Sequence, residues 1–113
     1  MNREEFGTLL QNNQGVLVVK FTAAWCKPCQ TIKAQVDKET ANLPDHVKFI
    51  ELDIDVHFDV YANMRSKKQV VGIPAILAYK KGNTTWFADH SISGANPVAI
   101  SQFFQTVSGP KNV

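Results

Sequence analysis

The apolar run Val16-Leu17-Val18-Val19-Lys20-Phe21 makes residues 16–22 read as a strand that is apolar on both faces, and it leads into Trp25-Cys26-Lys27-Pro28-Cys29, which holds the only two cysteines of the chain. A strand that is apolar on both sides must be covered on both sides, as in a parallel sheet sandwiched between helices. The residues after it supply one cover. Residues 26–40 predict a helix with Ile32 and Val36 on one face and Pro28 in the first turn, where a missing N–H costs little. Asn42-Leu43-Pro44-Asp45 breaks that helix, and Val47-Lys48-Phe49-Ile50-Glu51-Leu52-Asp53-Ile54 reads as the next strand. Residues 16–54 therefore predict a β-α-β unit with a right-handed crossover.

The place of the cysteines in that unit gives them a chemistry. A Cys-x-x-Cys pair at a strand-to-helix junction is a dithiol that can close and reopen as a small disulfide ring. Cys26 falls where unpaired helix N–H groups and the positive end of the helix dipole favour a thiolate. It is expected to be the exposed, low-pKa thiol, attacking a substrate disulfide that the covered Cys29 then resolves. The same pair could be half of a zinc site. A structural zinc needs about four nitrogen or sulfur ligands, and His46, His57 and His90 are scattered outside any paired motif. A purely structural disulfide across two residues closes too small a loop to stabilise much. A catalytic pair in a reducing cytosol fits better.

At 113 residues the chain is read as one domain, 1–113. Asn2 with Glu5 reads as a capping box opening a helix over 3–12, with Phe6, Leu9 and Leu10 on one face, and Asn12-Asn13-Gln14-Gly15 stops it. Residues 57–66 predict a weaker helix that packs Tyr61 and Met64. Ala75-Ile76-Leu77-Ala78-Tyr79 is a strand, Lys80-Lys81-Gly82-Asn83 a turn and Thr84 to Ser91 a return strand, together an antiparallel hairpin. Asn96 as N-cap and Pro97 at the first helical position open a last helix, whose face is Ile100, Phe103, Phe104 and Val107. Ser108-Gly109-Pro110 ends it, and the last few residues are expected to be loose. The order α-β-α-β-α-β-β-α predicts an α/β fold: one central mixed sheet flanked by helices on both faces.

Several function classes are disfavoured. A net charge of +2 does not call for a polyanion, and Lys67-Lys68 and Lys80-Lys81 read as solvated loops, so no nucleic-acid partner is expected. No apolar stretch approaches the roughly 20 residues of a membrane span. Met1-Asn2-Arg3-Glu4-Glu5 lacks the basic start and long apolar segment of a secretory signal, and a cytoplasmic setting is expected.

Along nearly its whole length the chain resembles the thioredoxin family. The matching pieces are Phe21-Thr22-Ala23-Ala24-Trp25-Cys26-Lys27-Pro28-Cys29, Leu52-Asp53-Ile54-Asp55, Val71-Gly72-Ile73-Pro74, Tyr79-Lys80-Lys81-Gly82 and Ser93-Gly94-Ala95-Asn96, in that order. One C-x-x-C is a weak signal; five pieces at the right spacing are a strong one. The resemblance implies a thioredoxin fold and a monomeric cytosolic reductase of protein disulfides. It implies no bound cofactor, and recharging by a flavoprotein reductase that draws on NADPH. It also implies that Cys26 attacks and Cys29 resolves, and that Pro74 is cis beside the disulfide, leaving room for a substrate backbone. Trp25 would be a flat cover and partner contact, with Lys27 and Pro28 beside it, and Ile73, Gly94 and Ala95 would line the groove around the attacking cysteine.

Three positions depart from the family pattern. Lys20 stands where family members usually carry a buried Asp thought to help move a proton from the resolving thiol. Lysine is almost never fully buried unless paired. Lys20 therefore either snorkels to solvent at the strand end or pairs with Glu51 on the neighbouring strand, as a reversed-polarity pair beneath Cys29. In the second case Glu51 takes the proton from Cys29, or Lys20 favours a thiolate there. Lys27 replaces the Gly common between the cysteines, and Ala34 replaces a proline that often kinks this helix. Rival readings are a disulfide-donating or isomerising enzyme, a glutathione-coupled redox protein, and a binding subunit that uses only the groove.

Overall fold

The computed structural model describes residues 1–109; Pro110 and the chain end expected to be loose lie outside the described residues. Its elements are α1 (Arg3–Gln11), β1 (Val16–Thr22), α2 (Lys27–Ala41), β2 (Val47–Asp53), α3 (Phe58–Ser66), β3 (Ala75–Lys80), β4 (His90–Ser93) and α4 (Pro97–Val107). The strands form one sheet in the order β2-β1-β3-β4. β1 runs parallel to β2 and antiparallel to β3, and β4 is antiparallel to β3. The sheet is therefore mixed, with the doubly apolar β1 in its interior.

Alternation along β1 divides the core in two. Leu17, Val19 and Phe21 point into a cluster with Phe6, Val60 and Met64 of α1 and α3. Val16 and Val18 point into the other, with Ile32 and Val36 of α2 and Ile100, Phe103 and Phe104 of α4. Lys20 belongs by the same alternation to the row of Val16 and Val18. The helices start on the expected caps. Asn2 Oδ1 accepts the Glu5 N–H at 2.8 Å while Glu5 Oε1 accepts the Asn2 N–H at 3.0 Å. Asn96 Oδ1 accepts from Val98 and Ala99. Arg3 straps α1 to the start of α3. Its guanidinium reaches Asp59 Oδ1 at 2.8 Å and its N–H donates to Oδ2 at 2.7 Å. The Arg3 side chain, with help from that N–H, holds the Asp59 carboxyl below the usual carboxylate range.

The hairpin differs from its expected form. Only His90–Ser93 pairs as β4, and residues 84–89 are loop rather than return strand. Trp86, at φ 73°, turns its ring into the core against Phe6, with centroids 4.6 Å apart. Its carbonyl accepts the Tyr79 hydroxyl at 2.9 Å. Burial, reinforced by the charge of Asp89, pushes the pKa of that hydroxyl up. The Asn83 side chain meanwhile takes the Thr85 N–H and hydroxyl and donates to the Phe87 carbonyl. Side chain-to-backbone bonds of this kind compete with a strand ladder, and here they win.

Gly15 does more than stop a helix. Val16 N–H donates to the His46 carbonyl at 2.8 Å, and Lys81 N–H donates to the Gly15 carbonyl at 2.8 Å, so three segments meet at this residue. A Cβ on Gly15 would overlap the His46 carbonyl oxygen, a backbone atom that cannot swing aside. Gly15→Ala is expected to cost about 1–3 kcal/mol in thermal or urea unfolding. A midpoint equal to that of the parent would mean that the loop shifts freely and that the close approach is not needed.

Candidate active site

The strand directions bring four segments to one end of the sheet. β1 and β2 finish there, β3 begins there opposite Phe21, and β4 finishes there, with Ser93 paired to Ala75. Cys26 and Cys29 lie at this end, closed as a disulfide with Cα atoms 5.3 Å apart. Cys26 is the N-cap of α2, and its Sγ accepts the Cys29 N–H at 3.3 Å. Lys27 and Pro28 form the exposed first turn between the two cysteines.

Cys26 is not the exposed thiol expected: at 5% exposure it is buried, only slightly more open than Cys29 at 1%. The cover over Cys26 comes from the loop before β3, where the Ile73 carbonyl oxygen lies 3.9 Å from its Sγ. The Ile73–Pro74 peptide is cis, as the family resemblance implied. The Pro74 carbonyl accepts the N–H of Gly94 at 2.9 Å, which brings that glycine, at φ 85°, to the same rim. Ile73 is half-buried against the α1/α3 core. Ala95 is half-buried against the α2/α4 core and is as much packing as groove.

Trp25 is 66% exposed, and its indole N–H donates to Asp55 Oδ2 at 2.8 Å. That bond spans 30 residues and fixes the ring that borders the dithiol. Asp55 belongs to the Leu52-Asp53-Ile54-Asp55 stretch and is a site residue that the sequence reading does not name as such. Its place two residues beyond β2, in the loop facing the end of β1, is the signal that could have marked it.

Lys20 does not snorkel. It is 1% exposed, faces Glu51 in the β1–β2 register, and has its Nζ 3.6 Å from Glu51 Oε1. Glu51 is about one-third open to solvent, with a side-chain exposure of 34%. A cleft of about 260 Å³ has Lys20, Glu51 and Cys29 in its walls, together with Ala23, Lys33 and Asp53. The charged pair and the more deeply buried cysteine thus share one small space.

The thioredoxin family model matches residues 1–106. Thioredoxin 3 of Plasmodium falciparum is 32% identical over 89 residues, covering 79% of this chain and 46% of that protein, so the chain spans less than half of that relative's length. Thioredoxin-2 of Saccharomyces cerevisiae is 33% identical over 98 residues, covering 87% of this chain and 86% of that protein. The solved structure of oxidised mitochondrial thioredoxin 3 from Saccharomyces cerevisiae is similar at a TM-score of 0.73 and 28% identity, covering 93% of this chain and 90% of that one. Among the described residues, no helix is long and apolar enough to cross a membrane.

Proposed function

The chain belongs to the thioredoxin family, and from that premise we propose how its dithiol is used: Cys26 attacks protein disulfides, Cys29 resolves the product, and the net reaction is reduction. The protein is a thiol–disulfide oxidoreductase with a redox-active Cys26–Cys29 pair. The observation that carries the assignment of roles is the position of Cys26 as N-cap of α2, with Cys29 behind it. In the reduced protein, Cys26 thiolate attacks one sulfur of the substrate disulfide. That bond breaks, a Cys26–substrate disulfide forms, and the other substrate sulfur leaves as a thiolate that takes up a proton. Cys29 then gives up its proton and attacks Cys26 Sγ, which releases the second substrate thiol and closes the ring. The substrate gains two electrons and two protons, and the dithiol becomes the disulfide.

Lys20 and Glu51 are read as catalytic residues of the second step, Glu51 as its general base. Glu51 stands in the cleft beside Cys29 to receive its proton, while Lys20 holds Glu51 and favours negative charge on the sulfur. Trp25, Lys27, Pro28, Ile73, Pro74, Gly94 and Ala95 make up the face that a substrate meets. The reading extends to a monomer in the cytoplasm, with a flavoprotein reductase passing electrons from NADPH to the Cys26–Cys29 ring.

The test is the reduction potential of the Cys26/Cys29 couple, measured against the NADPH–flavoprotein system and against glutathione. Efficient reduction by the former is the expected result. A couple recharged only by glutathione would move the protein to the glutathione-coupled reading. Lys27→Gly belongs in the same experiment, because the exposed cation next to Cys26 favours its thiolate and makes the ring easier to reduce. Removing it should make the couple more reducing by about 30 mV if the charge is worth about 1.4 kcal/mol. An unchanged potential at low salt would mean that solvent screens the charge.

A further inference from the structure

Large apolar side chains left in water are unevenly placed on this protein. Trp25, Val56, Phe58, Val71 and Val98 stand on segments at the dithiol end of the sheet, and among the described residues only Phe87, in the loop between β3 and β4, is an exposed large hydrophobic elsewhere. Trp25 and the loop that carries Val71 border Cys26, and a disulfide reaching that sulfur has to cross them. Val56 and Phe58 are different. They lie between β2 and the first turn of α3, are 72% and 64% exposed, and have no part in the redox step.

Three features join them to the site and hold their backbone in place. Asp55, immediately before Val56, accepts the Trp25 indole N–H, so the apolar segment continues from the ring that borders the dithiol. The Asp53 carbonyl takes the N–H groups of both Val56, at 3.1 Å, and His57, at 2.8 Å, closing the turn. Arg3 clamps Asp59 from the other side. The carboxylates that flank the two residues are thereby both engaged, Asp55 by Trp25 and Asp59 by Arg3. What the segment offers to a partner is two exposed apolar side chains on a backbone held in place, with both flanking carboxylates hydrogen-bonded to other residues. Adjacent exposed apolar groups of this kind mark interaction surfaces in soluble proteins, and a pre-fixed surface binds at a lower ordering cost.

We propose that Val56 and Phe58 are specificity-determining residues that extend the substrate face beyond Trp25 and take apolar side chains flanking the target cysteine of a protein disulfide. The proposal rests on the reading that the dithiol reduces protein disulfides. Burial of apolar surface is non-directional, so the extension selects for apolar flanks without demanding one sequence.

The test uses the full chain and two disulfide-linked peptides that differ only beside the cysteines, where one carries leucines and the other serines. The wild-type protein should reduce the leucine peptide with a kcat/KM about tenfold higher. Val56→Ser combined with Phe58→Ser should bring the ratio close to one while leaving the serine peptide rate unchanged, which also shows an intact fold and dithiol. A ratio unaltered in the double variant overturns the proposal, as does a wild-type protein that prefers neither peptide. A wild-type protein that reduces neither peptide overturns the reduction of protein disulfides itself, and the extension with it.

Discussion

Cys29→Ser is expected to hold protein substrates as mixed disulfides on Cys26, while Cys26→Ser neither reduces nor captures them. Both variants should lose turnover by about a thousandfold or more, because removing either member of a catalytic unit ends the cycle. What separates them is the species that accumulates. With Cys29 replaced, Cys26 still has its place at the start of α2, with the unpaired N–H groups of the first turn to favour its thiolate. Attack proceeds and resolution does not, so non-reducing gels should show the adduct. With Cys26 replaced, the remaining thiol is 1% exposed and lies behind the N-cap position of α2, out of line for attack on a folded substrate. Capture of substrates by the Cys26→Ser variant would reverse the two roles.

Glu51→Gln should be the costliest single change in the charged pair. Lys20 is 1% exposed, so neutralising its partner strands a buried cation. Glu51 can still reach solvent at 34% exposure, which reduces what the pair itself is worth. A loss of about 2–3 kcal/mol is expected for Glu51→Gln, toward the low end for a broken buried pair. Adding Lys20→Met should recover most of that loss, because the stranded charge goes with it. Urea unfolding of the four proteins of the cycle measures the coupling, and rapid quench of the mixed disulfide measures the chemistry. Glu51→Gln should slow resolution near neutral pH. Additive stabilities together with an unchanged resolution rate would leave Lys20 and Glu51 with no part in the step, and the proton of Cys29 would pass to water.

Much of this arrangement is legible in the residues themselves. The β1-α2-β2 unit follows from an apolar strand, a proline in a first turn and a second strand. Each of these is a local signal with a local cause. The crossover between β1 and β2 allowed Lys20 either to snorkel at the strand end or to lie beside Glu51, and the register of the two strands decides for Glu51. The misread stretch is 84–89, where the pattern allowed a strand. The Asn83 bonds that compete with the ladder are local, but the contact that goes with them joins Trp86 to Phe6, 80 positions earlier, and no window of sequence contains both. Asp55 escaped for a similar reason, since its partner Trp25 lies 30 residues away. The cis peptide before Pro74 was expected from the family resemblance alone.

The bond from the Cys29 N–H to Cys26 Sγ has a consequence for observing the protein at work. In the proposed cycle the sulfur that closes the start of α2 is the sulfur that changes partner and charge. As a thiolate it is a stronger acceptor than as half of a disulfide, so the first backbone amides of the helix feel every stage of the reaction. The Cys29 amide is in effect a gauge built into the main chain, and its NMR shift and exchange rate follow the oxidation state of the neighbouring sulfur without any added label.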